Sequence, residues 1–245
     1  QDAAGNDATL TTPAVAASAN AITVDTVAPT VSSVTISATD SDDTVTTDPL
    51  IVGDKVLVTV TMSEETTVTG TPTYTIDVGG VSKTASYVSG SGSTALVFSY
   101  TIASGDTDSA DGITAGTSAL ALADGTLQDA AGNDATLTTP AVSANENAIV
   151  VDTTAPTVSS VEISATDSAD TVTTDPLIVG DKILVTVTMS EETTVTGTPT
   201  YAIDVGGVSK TASYVSGSGS TSLVFSYTVA SGDTDSADGI TAGTS

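Results

Sequence analysis

The sequence predicts an all-β protein built from antiparallel β-sandwiches in tandem. Three observations predict this class. Val and Thr abound, while Lys, Arg and Glu are scarce, a balance that favours strands over helices. Apolar and polar residues alternate with a period of two in several segments, the pattern of a half-buried strand. The chain also repeats itself. Gln1 and Gln128 both open QDAAGNDATLTTPAV, a step of 128 − 1 = 127 residues, and the copies stay aligned to Ser118 and Ser245. A fixed period marks an array, and 127 residues is the size of one ordinary domain. Such a unit buries roughly two-thirds of its unfolded surface, enough for a core without staples.

Within one repeat the strands follow in order. Val34 and Ile36 alternate with Ser33, Thr35 and Ser37. Val56, Val58, Val60 and Met62 alternate with Leu57, Thr59, Thr61 and Ser63. Tyr74, Ile76 and Val78 form a third strand, and Gly79-Gly80 then reads as a two-residue hairpin turn into Val81–Val88. SGSGS at 89–93 is a loop. Leu96, Phe98, Tyr100 and Ile102 make the best alternating face. Short strands are expected near Ala119–Leu122, Ala135–Thr138, and Ala21–Val24 or its copy Ala148–Val151. No window carries helical periodicity. Seven or more short strands with turn punctuation point to a two-sheet sandwich, with an up-and-down barrel as the alternative. The sandwich is preferred because units joined in series need their termini at opposite ends.

Pro29 and Pro156, each in the context VDT-x-AP, mark the boundaries, because proline fixes φ and suits the start of an edge strand. Residues 1–25 then form the tail of one repeat, 26–152 a complete repeat, and 153–245 a repeat lacking the part equivalent to 119–152. Both ends fall inside repeats, which points to a longer parent chain.

Thirty acidic residues, 24 of them Asp, face four Lys and no Arg, a net charge of −26. Phosphate contacts need cations, so nucleic acid is excluded as a partner, and anionic lipid is disfavoured. No 18-residue apolar run is present, so no membrane insertion is expected of this segment. Self-repulsion of this size weakens a compact fold. Two readings of the charge remain: solvation of the surface, or capture of divalent cations by clustered carboxylates, which are hard oxygen ligands. There is no Cys, hence no disulfide and no zinc-thiolate site, and no His, hence no His-based triad or general base. Lys55, Lys83, Lys182 and Lys210 carry no mark of activation. An enzyme is not expected.

The segments SEETTVTGTPTYTIDVGG, SYVSGSGSTALVFSYTIASGDTDSADGI, LADGTLQDAAGNDATL and VDTTAPTVSSV resemble bacterial immunoglobulin-like repeats over essentially the whole chain. Such repeats occur in giant surface adhesins, often secreted by type I systems and often calcium-dependent. The resemblance implies Ig-like sandwiches arranged end to end, outside the cell. It also implies a role as stiff extenders of a distal adhesive domain, in cell adhesion or biofilm formation, with Ca2+ at the junctions between neighbouring repeats. Two alternatives stand beside it. One is an extracellular filament or surface layer, in which residues 1–25 of another copy supply the missing strands of 153–245. The other is a glycan-binding module.

Four acidic constellations could carry chemistry. The junction set comprises Asp25 and Asp152 at the boundaries, with Asp129, Asn133 and Asp134 in the loop QDAAGND and Asp2, Asn6 and Asp7 as its earlier copy. Calcium takes six to eight oxygens, and such loops offer carboxylates, an amide oxygen and carbonyls. A polar hairpin whose Asp and Asn serve turn geometry is the competing reading. The loop lies near Asp152 if 135–138 pairs antiparallel with 148–151, and near Asp25 if the two are continuous. The second set is GDTDSADGI, with Asp106, Asp108 and Asp111, repeated as Asp233, Asp235 and Asp238. It approaches the EF-hand pattern but carries one extra residue and lacks the terminal Glu, so a solvated turn competes with a calcium loop. Third, DSDD at 40–43 reads as a solvated loop. Fourth, Glu64-Glu65 and Glu191-Glu192, at a strand end, read as surface charge, with a strand-end metal ligand as the competing reading for one of them.

Overall fold

The computed structural model describes residues 1–9, 11–16, 22–108, 112–143, 146–235 and 239–242. The chain divides into two compact units, Gln1–Thr153 and Thr154–Ser245. The predicted class holds: the protein is all-β, and its strand ladders are antiparallel.

Unit 1 contains β1 (Val31–Thr39), β2 (Lys55–Thr69), β3 (Thr73–Val78), β4 (Val81–Ser89), β5 (Ser93–Thr101), β6 (Thr107–Asp108), β7 (Leu120–Ala121), β8 (Thr126–Gln128) and β9 (Val151–Asp152). The large sheet has the order β1-β2-β5-β4-β3-β7, with β8 on β2. Register follows the alternation: Ile36 faces Val58, and Val58 faces Phe98. The inward set of β1, β2, β3 and β5 is therefore buried on one face, with Thr and Ser on the other. Gly79 and Gly80 both take positive φ, 58° and 84°, as a primed hairpin turn demands. Gly79 is required twice over, because a Cβ there would lie 1.9 Å from the carbonyl oxygen of Thr107.

A second layer of short segments covers the buried face. Ala115 pairs with Val142, β6 pairs with β9, and Leu50 pairs in parallel with Val151. The Leu50 N–H donates to the Val150 carbonyl at 2.8 Å, and the Asp152 N–H donates to the Leu50 carbonyl at 2.9 Å. Leu50, Ile113, Leu127, Val142 and Val151 from this layer join Val58, Tyr74, Ile76, Leu96 and Phe98 in one continuous core. Phe98 is flanked by Tyr74 and Tyr87, with centroids 5.8 and 5.7 Å away. Each fully buried aliphatic or Phe side chain contributes roughly 1.5–3 kcal/mol.

Three elements differ from expectation. β2 does not stop at Met62. Its pairing with β5 skips from Thr61 to Thr66, a bulge, and the strand then continues as the partner of β8, Val68 facing Leu127. Tyr100 is only half-buried, although Leu96, Phe98 and Ile102 are in the core as expected. Residues 135–138 form no extended ladder. Thr136 instead makes a single parallel bridge to Thr30.

Unit 2 repeats the large sheet. β10 (Val158–Thr166), β11 (Lys182–Thr193), β12 (Thr200–Val205), β13 (Val208–Ser216), β14 (Ser220–Thr228) and β15 (Thr241–Ala242) follow the order β10-β11-β14-β13-β12-β15. The registers match those of unit 1, with Ile163 facing Val185 and Val185 facing Phe225. Among its described residues unit 2 has no counterpart of β8 or β9, and two differences accompany this. β11 ends at Thr193, the position matching Thr66, so the stretch that pairs with β8 in unit 1 is not a strand here. Leu177 and Tyr201 are half-buried, whereas their counterparts Leu50 and Tyr74 are fully buried.

This difference gives a matched test. Leu50→Ala should destabilise unit 1 by about 2–5 kcal/mol, while Leu177→Ala should cost less than about 1 kcal/mol, measured by urea unfolding of each variant. Equal costs would mean that the second layer does not seal unit 1.

Candidate metal centre

The site begins with the bulge in β2. A bulge re-aims the side chains it carries, and here it places Glu64 where β2 leaves β5 and joins β8. The chain following β8 is the loop 129–134, so the pairing of Val68 with Leu127 brings Asp129 to Glu64. The third participant is the segment before β1. Its backbone is tied to the bulge by the Ser63 N–H donating to the Thr30 carbonyl at 2.8 Å, and to the loop side by the Thr136 N–H donating to the Pro29 carbonyl at 2.8 Å. Asp25, Glu64 and Asp129 consequently gather, each with a carboxylate oxygen within 4.8 Å of the others. Asp129 is buried, Glu64 half-buried and Asp25 exposed.

Asn133 is the clip that holds the loop. Its backbone N–H donates to Asp129 Oδ1 at 2.8 Å, and its Nδ2 to Asp129 Oδ2 at 2.7 Å. The same Nδ2 reaches the carbonyl oxygens of Asp25 at 3.3 Å and Val27 at 3.5 Å. The loop therefore lies beside Asp25, although 135–138 and 148–151 do not form the continuous strand on which that placement was premised. Gly132, at φ 93°, makes the tight turn possible.

The electrostatics of the three carboxylates differ. Hydrogen bonds from the Asn133 side chain, then from backbone N–H groups, hold Asp129 below the ordinary carboxylate range despite its burial. Glu64 is pushed up, first by burial and then by the charges of Asp25 and Asp129. No lysine relieves this repulsion, since each of the four is paired with another aspartate: Lys55 with Asp43, Lys83 with Asp106, Lys182 with Asp170 and Lys210 with Asp233. The three carboxylates offer hard oxygen donors, which suit a hard cation better than a softer metal.

The other candidates are placed as follows. Asp134 accepts from Gln128 Nε2 at 2.8 Å. Asp2, Asn6 and Asp7 reproduce the clipped loop in an exposed setting: Asn6 N and Nδ2 donate to Asp2 at 3.0 and 2.9 Å, and Gln1 Nε2 donates to Asp7 at 2.8 Å. Asp152 is exposed and its backbone is part of β9, opposite Thr107 of β6. Asp108 is buried in β6, opposite Val151. Asp235 is exposed, while Asp111 and Asp238 lie outside the described residues.

Asp106 and Asp233 are held by protein groups. Asp106 is buried against Lys83 Nζ at 2.5 Å, the Tyr100 hydroxyl at 2.6 Å and the Ala103 N–H at 2.9 Å. Burial opposes its ionisation, but these donors outweigh it and its pKa lies below the usual value. Asp233 has the matching partners: Lys210 at 2.6 Å, Tyr227 at 2.7 Å and the Ala230 N–H at 2.8 Å. Asp40 Oδ1 accepts from the Asp42 and Thr44 N–H groups, so the DSDD segment is a turn stabilised by its own first carboxylate.

Sequence reasoning missed two things. One is the continuation of β2 past Glu64 to Thr69, which the alternation of TTVT could have signalled as a strand carried through a bulge. The Lys83–Asp106–Tyr100 group spans residues that only folding brings together. Comparisons with protein-family models, curated proteins and solved structures found no match.

Lys210 and the other donors lower the Asp233 pKa from 3.8 to about 2. A depressed folded pKa confers stability that is complete above the unfolded value and is lost as pH falls toward the folded one. Asp233→Asn should therefore melt below the parent at neutral pH, and the gap should close as pH is lowered from about 4 toward 2. A gap independent of pH would show that the charge is not responsible.

Proposed function

We propose that this chain is a run of structural extender repeats from a large extracellular bacterial adhesin, a Ca2+-stiffened stalk that projects a distal binding domain for cell adhesion or biofilm formation. The observation that carries this reading is the meeting of Asp25 with Glu64 and Asp129. Asp25 lies in the segment that leads into the sandwich, whereas Glu64 and Asp129 belong to its body. A cation shared among them would fasten the lead-in to the domain and replace a free hinge by a fixed one. The donor set is chiefly carboxylate, the chain is strongly acidic, and the 127-residue step repeats Asp25 and Glu64 in sequence as Asp152 and Glu191. Neighbouring repeats of the same chain are its principal partners.

The aromatic residues do not support the glycan-binding alternative. Tyr74 and Phe98 are fully buried, and Tyr87 packs edge-on against Phe98. Catalysis gains no support from a chain that lacks both His and Cys.

Extracellular modules of this kind hold Ca2+ with dissociation constants of about 10⁻⁴–10⁻³ M. Titration of the chain with CaCl2 should raise its melting temperature over that range and reduce the spread of dimensions seen by small-angle scattering. Glu64→Gln separates the two effects of the cluster. In chelator this variant should melt above the parent at neutral pH, because a carboxylate whose pKa is raised by folding destabilises the fold once ionised and ceases to do so as pH falls. In Ca2+ it should lose the gain that the parent shows. A parent indifferent to Ca2+ would overturn the reading.

A further inference from the structure

We propose that unit 1 carries a self-pairing sheet edge: β1 of one copy of this chain adds antiparallel to β1 of a second copy, joining two large sheets across a twofold axis at Thr35. The inference stands apart from the cation reading, because it rests on backbone pairing along one edge.

The large sheet of unit 1 has two edges, β1 and β7. β7 spans two residues, whereas β1 spans nine. Among the described residues, the outer side of β1 is bridged only at its ends, where Thr30 meets Thr136 and Thr39 meets Val45. The Ala38 carbonyl accepts from the Thr46 N–H at 3.2 Å, so Ala38 aims its backbone groups away from β2. Val34 and Ile36, two and four residues before it, share that direction. Among the described residues no backbone hydrogen bond meets them on that side. Their side chains lie in the core, 7% and 9% exposed, so it is the main chain that stands open. Alongside runs a groove of about 460 Å³, walled by Ile36, Ala38, Val45, Asn147 and Ile149. A row of unpaired N–H and C=O groups is a template for another strand.

The occupant that fits is β1 itself. With Thr35 on the axis, Val34 of each copy faces Ile36 of the other. Each of these two pairs exchanges two hydrogen bonds, and every open N–H and carbonyl of the four residues finds a partner. Thr35 meets its own counterpart as a close, non-hydrogen-bonded pair, a place that suits two threonines. Val31 would fall opposite Thr39, where Val45 already sits, and the bulge between Val31 and Ser33 ends the regular register short of that point.

Charge favours the same arrangement. Residues 26–39 carry none, while Asp40 and Asp42 follow directly. Antiparallel pairing sets this acidic end of one strand against the uncharged start of the other, whereas parallel pairing would set acid beside acid. The second repeat supplies the contrast. β10 differs from β1 at one position, with Glu162 where β1 has Thr35. Both side chains are exposed, so core packing does not account for the difference. On the axis a glutamate would face its own copy, and like charges directly opposite oppose pairing.

Light scattering on the full chain in chelator, over a wide concentration range, tests this. Mass should rise with concentration and level off at twice 23.9 kDa, because a twofold contact closes on a pair. Thr35→Glu should stay monomeric with unchanged circular dichroism, since β10 forms with glutamate at that position. Thr35→Val should still pair. The chain has no cysteine of its own, so introduced thiols report the register. Thr35→Cys should oxidise to a covalent dimer several-fold faster than Ser33→Cys or Ser37→Cys does alone. The latter two, mixed, should cross-link to each other, because Ser33 faces Ser37 of the second copy. A chain that stays monomeric at every concentration overturns the proposal, leaving the edge to a foreign extended peptide. Association that survives Thr35→Glu, or that grows past two copies, places the contact on another face and also overturns it. So does a Thr35→Cys chain that cross-links no faster than Ser37→Cys.

Discussion

Closure of the core by the last residues of the repeat is the constraint on which fold and site both depend. The large sheet of unit 1 buries one face of β1, β2, β3 and β5, and that face needs a cover. Residues 126–152 supply much of it, through Leu127, Val142 and Val151. The same return path builds the acidic cluster. β8 pairs with β2 only beyond the bulge, and that pairing carries Asp129 to Glu64. Unit 2 shows the converse. Among its described residues there is no counterpart of β8, and there β11 stops at Thr193 and Leu177 is half-buried. A strand boundary in this protein is thus set by the partner strand as much as by the residues within it.

Charge is arranged with similar economy. Four lysines oppose thirty acidic residues, and every one of them is committed to an aspartate. Two of them, Lys83 and Lys210, neutralise the shielded carboxylates of Asp106 and Asp233, where leaving a charge unpaired is most costly. Asp129 is stabilised by hydrogen bonds instead, and Glu64 by neither. Asp25 and Asp129 therefore repel Glu64 with no lysine to offset them, and a cation held among the three would relieve that repulsion.

The fold class was legible because alternation and the Gly79-Gly80 turn are local signals. Val56, Val58 and Val60 declare their face within seven residues, and two consecutive glycines admit few turns other than the primed one they form. β2 beyond Met62 was not legible, since a bulge breaks the alternation and the stretch gains order from β8, nearly sixty residues away in sequence. The junction set was half legible. Asp25 and Asp129 were expected together by one of two placements, but Glu64 enters through that unpredicted bulge. Asp106 was read among loop acids because its neighbours are acidic in sequence. Lys83 and Tyr100, which decide its environment, come from other strands. Local patterns reveal secondary structure, whereas the role of a single carboxylate depends on contacts between distant segments.

Late closure also bears on biosynthesis. A ribosome delivers this chain from its amino end, so each sandwich emerges open and waits for the residues that seal it. Successive copies are nearly identical, with 11 differences over 118 aligned positions. Segments 1–25 and 128–152 differ at only four positions, so two near-identical segments fit the same open face of unit 1. Any pause that delays sealing by the proper segment favours crossed pairings between neighbours, a trap inherent to arrays of look-alike domains.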